Sequence, residues 1–255
     1  MPIPPPVRQR VLVTGASAGL GQEMARHWAR QGRDLALCAR RPDALERLRD
    51  ELCAASPAIT VSLHPVDVVD HEAVDAAFAD AAAALGGLDR VVVNAGVAGG
   101  GSLGLDQAGV NRAIAMTNFV GVVHQAEAAL RVFRPVDAGH LVFMSSMSAL
   151  RGMGGAMNVY SASKAGVSAL AEGLRSDLAG TGIGVTAVHP GYVRTAMAAH
   201  FPRMLMASSP DRATGAIVAA IEREPAKAYV PALPWAALAW PMRLAPLGLY
   251  RRIAG

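Results

Sequence analysis

Lysine is almost missing from this chain of 255 residues: only Lys164 and Lys227 stand among many arginines. Tyrosine is nearly as rare, confined to Tyr160, Tyr192, Tyr229 and Tyr250. Charged residues make up 17% of the chain against 52% hydrophobic, a balance that excludes a disordered protein. The arginines pair only at Arg40–Arg41 and Arg251–Arg252, so the net charge of +4 forms no long basic run. Nucleic acid is therefore not an expected partner. The two cysteines, Cys38 and Cys53, make no CxxC; free thiols in a reducing cytoplasm fit them. The seven histidines never pair at ligand spacing on one helix, so no metal is expected. No run of about twenty apolar residues proposes a membrane span. The opening "MPIPPPVRQR" lacks the apolar core of a signal peptide, and residues 1–9 are expected to be a Pro-stiffened, solvated lead-in.

What is present is an alternation. The β-branched runs "RVLVTG", "DLALCAR", "ITVSLHPVDV", "LDRVVVNAG", "HLVFMSS", "GVTAVHPG" and "KAYVP" are separated by Ala- and Leu-rich helical stretches. Short, wholly apolar strands suit a parallel sheet covered on both faces. Six helices between seven strands imply a single α/β domain over residues 10–231, a Rossmann-type doubly wound sheet. Ligands of such sheets bind beyond the carboxyl ends of the strands.

The first strand runs into "TGASAGLGQEMA", placing Gly15, Gly19 and Gly21 at a strand-to-helix turn. There the backbone can approach a pyrophosphate, which the helix N-terminus attracts. After "LALCA", where a carboxylate would bind an adenosine 2′-hydroxyl, stand Arg40 and Arg41. A guanidinium fork favours a 2′-phosphate, so NADP is expected over NAD; solvated arginines opening the next helix are the plainer alternative.

Tyr160 and Lys164, in "NVYSASKAGV", are four apart and share a helix face. An ammonium beside a phenol favours the phenolate and should lower its pKa, fitting the pair for proton transfer to a carbonyl or from an alcohol. Such pairs also occur on ordinary helix surfaces. Here, however, strand "HLVFMSS" ends just upstream, and Ser145, Ser146 and Ser148 offer hydroxyls to a substrate oxygen.

With these residues in order, the chain resembles the short-chain dehydrogenase/reductase family of NAD(P)-dependent oxidoreductases over nearly its whole length. The matching series is "TGASAGLG", Asp67 in "PVDV", "NAG" at Asn94–Gly96, Asn118 in "MTNFVG", Ser146, "YSASK" and "PGYVRT" from Pro190. The resemblance implies a catalytic set of Asn118, Ser146, Tyr160 and Lys164. Tyr160 would protonate the carbonyl oxygen and Ser146 would hydrogen-bond it. Lys164 would hold the nicotinamide ribose, and Asn118 would keep a helix open for a water that relays protons to Lys164. For the dinucleotide it implies Gly15, Ser17, Gly19, Leu20 and Gly21, with Asp67 and Val68 beside the adenine. Asn94, Ala95 and Gly96 would flank the adenosine ribose, and Pro190, Gly191, Val193 and Thr195 would clasp the carboxamide. Two departures stand out. The segment between Ser146 and Tyr160 carries one extra residue, leaving Ser148 as a second candidate. Ala18 also replaces the basic residue common in NADP-dependent members, so NADP rests on Arg40, Arg41 and Ser17.

The implied activity is reversible reduction of a hydrophobic ketone or aldehyde by a homodimer or homotetramer. NAD-dependent oxidation of a secondary alcohol or 3-hydroxyacyl group is the alternative within enzymes; a non-catalytic dinucleotide sensor is the alternative outside them. Residues 192–211, rich in Met, suit a loop over an apolar substrate. The tail 232–255 holds Trp235 and Trp240, with Arg243, Arg251 and Arg252, and prolines at 234, 241 and 246 are expected to interrupt helicity. It suits packing on a partner subunit or against the substrate pocket; a peripheral membrane anchor is the other reading.

Overall fold

The computed structural model describes residues 6–194, 208–246 and 248. Seven strands form on the short, largely apolar runs: β1 (Arg10–Thr14), β2 (Asp34–Ala39), β3 (Val61–Pro65), β4 (Arg90–Val93), β5 (Gly139–Met144), β6 (Ile183–Pro190) and β7 (Lys227–Val230). They make one sheet in the order β3-β2-β1-β4-β5-β6-β7, parallel throughout. Strand order reverses direction beside β1, between β2 and β4, so a crevice opens there at the carboxyl ends.

Side chains alternate between two cores, as a pleated strand requires. Leu12 of β1 joins Phe78, Val122, Phe133 and Val167 on one face. Val11 and Val13 join Met24, Trp28, Leu45 and Ile217 on the other. The first face is covered by α3 (His71–Leu85), α5 (Gly121–Phe133) and α6 (Asn158–Asp177); the second by α1 (Gly19–Arg30), α2 (Pro42–Ala55) and α7 (Pro210–Glu222).

Three expectations need correction. The stretch "GVNRAIAMTNFVGVVHQAEAALRVF" is not one uniform helix. α4 (Ala108–Ala115) and α5 are joined by a π-helical turn over Met116–Val120. Its cause is Asn118, fully buried, whose amide turns inward to grip the chain beyond β4. Next, one tail proline does not interrupt its helix: α8 (Ala232–Leu244) keeps Pro241 inside it, whereas the backbone is non-helical at Leu233, just before Pro234, and the helix ends before Pro246. Finally, the lead-in is not simply solvated. Arg8 is buried and forks onto Glu224 at 2.8 and 3.1 Å.

That fork belongs to an ionic cluster at the amino ends of the strands, opposite the crevice. Arg90 is fully buried in β4; its Nε donates to His140 Nδ1 at 2.9 Å and its Nη1 to Glu222 Oε1 at 2.5 Å. Trp28 Nε1 donates to the same Glu222 oxygen at 2.8 Å. Burial holds the His140 pKa well below the ordinary histidine value, so it is a neutral acceptor here. Removing the fully buried Arg90 leaves a cavity in the core and strips the half-buried Glu222 of its only ionic partner among the described residues, with just the Trp28 N–H remaining. Arg90→Ala should therefore lower the unfolding free energy by about 3–5 kcal/mol, read by urea denaturation at pH 7. A loss below about 1 kcal/mol would show that the cluster rehydrates freely.

Candidate active site

A cleft of ≈ 380 Å³ opens at the carboxyl ends of the strands, spanning Gly15 after β1, Arg40 after β2, Asp67 after β3, Asn94 after β4, Ser145 after β5 and Pro190 at the end of β6. Its turns are tied together by Thr14. The Thr14 Oγ1 accepts from the amides of Asn94 and Ala95, both at 3.0 Å, while Asn94 Nδ2 donates to Thr14 O at 2.8 Å. The ends of β1 and β4 are thereby fixed relative to each other.

The glycines work in different ways. Gly15 and Gly19 line the cleft with φ of +65° and +59°, a left-handed backbone that favours glycine. A Cβ on Gly15 would stand 2.9 Å from Ala95 Cα. Gly21 does not line the cleft. A Cβ there would meet Gly15 O at 2.4 Å and Asn94 Nδ2 at 2.6 Å, so it acts by letting α1 pack close behind the turn. The N-cap of α1 is Ala18, which offers no side-chain acceptor to the first helical N–H groups. A bare helix start under a glycine turn suits a pyrophosphate.

At the adenosine end, Arg41 Nη2 donates to Ser17 O at 3.1 Å and to Ser17 Oγ at 3.2 Å. Arg40, largely exposed, reaches Asp67 at 3.9 Å. Leu20, Val68, Ala95 and Gly96 also line the cleft. Sequence reasoning missed Val66, Val97, Thr117 and Met144, which also line the cleft; their signal was position just beyond a strand or beside the Asn118 turn.

At the other end lie Tyr160 and Lys164, both buried on α6. Lys164 Nζ donates to Met144 O at 2.8 Å and stands 5.9 Å from the centre of the Tyr160 ring. Ser146 hydrogen-bonds the Tyr160 phenol, and the amide of Ser148 donates to Ser146 Oγ from behind at 3.1 Å. Asn118 lies deeper: its Oδ1 accepts from Val97 N and its Nδ2 donates to Val97 O, both at 2.8 Å. Gly96 is wedged between them; a Cβ there would be 3.2 Å from Asn118 Oδ1 and 3.7 Å from Lys164 Nζ.

The expected direction of the Tyr160 shift is reversed. Burial pushes the phenol up to about 12, against the opposing hydrogen bond from Ser146. Burial also brings Lys164 down to about 8. Desolvation dominates both shifts. Tyr160 is thus held as a phenol at neutral pH, the protonation state of a donor.

The last expected stretch divides. Pro190 lines the cleft, whereas Gly191 and Val193 do not. Gly191 makes room for Trp235, whose Nε1 would lie 2.1 Å from a Cβ there. Thr195 and most of the 192–211 segment lie outside the described residues. Trp235 is buried against Met147, Leu150, Tyr192 and Tyr229, so α8 packs beside the serine-bearing turn. No group of residues able to hold a metal is found among the described residues. Among the same residues, no helix is long and apolar enough to cross a membrane.

Glycine turn, bare helix start and tyrosine–lysine pair together define a nucleotide-dependent oxidoreductase site. The short chain dehydrogenase family profile matches residues 9–205. An oxidoreductase of Mycobacterium tuberculosis is 48% identical over 250 residues, covering 97% of this chain and 98% of that one. The closed form of a serine dehydrogenase complexed with NADP+ superposes with a TM-score of 0.76 at 27% identity, covering 87% of this chain and 94% of its own. A 3-oxoacyl-acyl-carrier-protein reductase from Brucella melitensis in complex with NAD gives 0.76 at 27% identity, with 88% and 96% covered. The chain belongs to the short chain dehydrogenase family.

The buried ammonium has a measurable cost. The unfolded lysine keeps its proton to about 10.4, whereas the folded one releases it near 8. Below that pH the penalty is fully present, and it fades as pH rises through the interval. Lys164→Met should therefore raise unfolding free energy at pH 7 by about 1–3 kcal/mol, with the gain shrinking between pH 8 and 10. Denaturation at both pH values checks this; equal or lower stability at pH 7 would contradict it.

Proposed function

We propose that this protein is an NADP(H)-dependent oxidoreductase acting between a hydrophobic ketone or aldehyde and the corresponding alcohol. The reading is carried by the Tyr160 phenol, held by Ser146 and buried beside Lys164, in the same cleft as the glycine turn. When bound, the nicotinamide supplies or accepts the hydride. The chain's own residues handle the oxygen. Ser146 hydrogen-bonds it, Tyr160 gives it the proton during reduction, and Lys164 keeps a positive charge near the resulting phenolate. Asn118 braces the Val97 turn that forms one wall.

NADP over NAD is supported by Arg41, already oriented by Ser17, and by the neighbouring Arg40. The guanidinium would meet a 2′-phosphate with charge-assisted bonds, each worth about 1.5–3 kcal/mol. Asp67 could instead accept from a 2′-hydroxyl, which is what the NAD-dependent alternative requires. An apolar substrate is supported by the Trp235 cluster of Met147, Leu150, Tyr192 and Met242 beside the serine turn.

Two associations complete the proposal. A homodimer or homotetramer would use the faces of α5 and α6, where Phe119 is partly exposed against Gly166. The outer face of α8 exposes Leu233, Trp240 and Leu244; a further subunit is the proposed occupant, with a peripheral membrane as the alternative that vesicle co-sedimentation would reveal.

The test is oxidation of NADPH and NADH against apolar ketones graded by chain length and ring size. NADPH should be preferred, and Arg41→Ala should weaken NADPH binding roughly 10–100-fold while leaving NADH within a few-fold. Equal loss for both dinucleotides, or preference for NADH in the unaltered protein, would overturn the cofactor assignment.

A further inference from the structure

Behind the cleft lies a hydrogen-bonded chain that the chemistry above does not use. The Lys164 carbonyl oxygen accepts from Ser145 Oγ and from Ser168 Oγ, each at 3.0 Å. The two hydroxyl oxygens are 2.8 Å apart. Ser168 Oγ is also 3.1 Å from His189 Nε2. His189 is buried, its ring tilted on that of Tyr229 with centroids 5.2 Å apart.

Burial brings the His189 pKa down to about 4, against backbone hydrogen bonds to Ala187 and Ala228, so the ring is neutral near pH 7. A neutral ring carries one N–H and one bare nitrogen, so Nε2 and Ser168 Oγ share a single proton whichever tautomer is present. The two serine hydroxyls share their protons between each other and the Lys164 carbonyl. The geometry of the chain, not its direction, is what joins His189 to Lys164.

Consecutive residues of one strand end therefore hold Lys164 at both ends. Met144 O takes the ammonium and Ser145 Oγ takes the backbone carbonyl. Ser145 is fixed in turn, because its amide donates to Val188 O at 2.8 Å, one residue before His189. A lysine side chain has four freely rotating bonds and a strong tendency to reach water. Fixing its backbone limits where the ammonium can go.

We propose that Ser145, Ser168 and His189 are positioning residues that hold the α6 backbone at Lys164 so that its ammonium stays buried beside Tyr160. The link to turnover rests on the function proposed above; the link to Lys164 itself does not. Nothing in the chain touches a reacting atom. The network should matter through Lys164 alone.

The scarcity of lysine makes the test direct. Lysine labelled with carbon-13 at Cε gives two side-chain signals in the full chain, from Lys164 and Lys227. Their titration is followed in the unaltered protein and in Ser168→Ala, His189→Phe and His189→Asn. With the network cut by Ser168→Ala or His189→Phe, the ammonium can rehydrate, and the Lys164 midpoint should rise by about half a pH unit or more. The amide of His189→Asn can hydrogen-bond Ser168 in either direction and should restore it. The Lys227 midpoint, a control, should not move. If the Lys164 midpoint stays put in whichever of the first two variants folds, the network is merely structural and the proposal fails, whatever happens to Tm. Where turnover is measured, kcat should fall in step with the shift while KM for the ketone changes little. Absence of turnover in the unaltered protein would remove the proposed function and leave the lysine comparison decisive.

Discussion

The contact on which the site depends is between an ammonium and a carbonyl: Lys164 Nζ against Met144 O, with the lysine buried. A buried lysine is unfavourable by itself, and one hydrogen bond does not offset full desolvation. The surrounding structure has to hold it. The end of β5 supplies the acceptor, α6 supplies the lysine, and Gly96 lets the turn after β4 close over both. The position of Tyr160 follows, since it lies one helical turn earlier on the same face.

A second constraint operates at the far end of the sheet. Arg90, His140, Glu222, Glu224 and Arg8 fasten β4, β5, the end of α7 and the incoming chain into one ionic cluster. Polar groups this deep tolerate few arrangements, so the strands are held in register from below. The crevice at their carboxyl ends is then free to be lined with small residues and open backbone. Stability and chemistry occupy opposite ends of the same strands. This division suits a fold whose ligands lie beyond the carboxyl ends.

Much of this was legible from local signals. Short, largely apolar runs mark all seven strands, and Gly15 and Gly19 of "TGASAGLG" lie in a turn because strand-to-helix geometry there favours left-handed backbone. The spacing of Tyr160 and Lys164 places them together without any tertiary information. What was not legible depends on partners distant in sequence. Asn118 reads as a polar residue in an apolar helix until its amide is seen on Val97. Arg8 reads as solvated until Glu224 arrives from 216 residues away. The Tyr160 phenol was expected to be lowered by its neighbour; burial on every side, which no spacing reveals, raises it instead. The tail prolines read as helix breakers, and Pro234 and Pro246 do stand at the kink and beyond the end of α8, yet Pro241 stays inside a helix whose Trp235 packs beside Gly191 and Met147.

The central claim is that Tyr160 delivers a proton to a carbonyl oxygen as hydride reaches the carbon. The most direct measurement uses NADPH deuterated at the transferable C4 position, an apolar ketone, and the Tyr160→Phe variant beside the unaltered protein. The account predicts deuterium on the carbinol carbon of the product, formed about 10²–10⁴-fold more slowly by the variant, with dinucleotide binding retained. Product without deuterium, or label transfer by the variant at an undiminished rate, would contradict it.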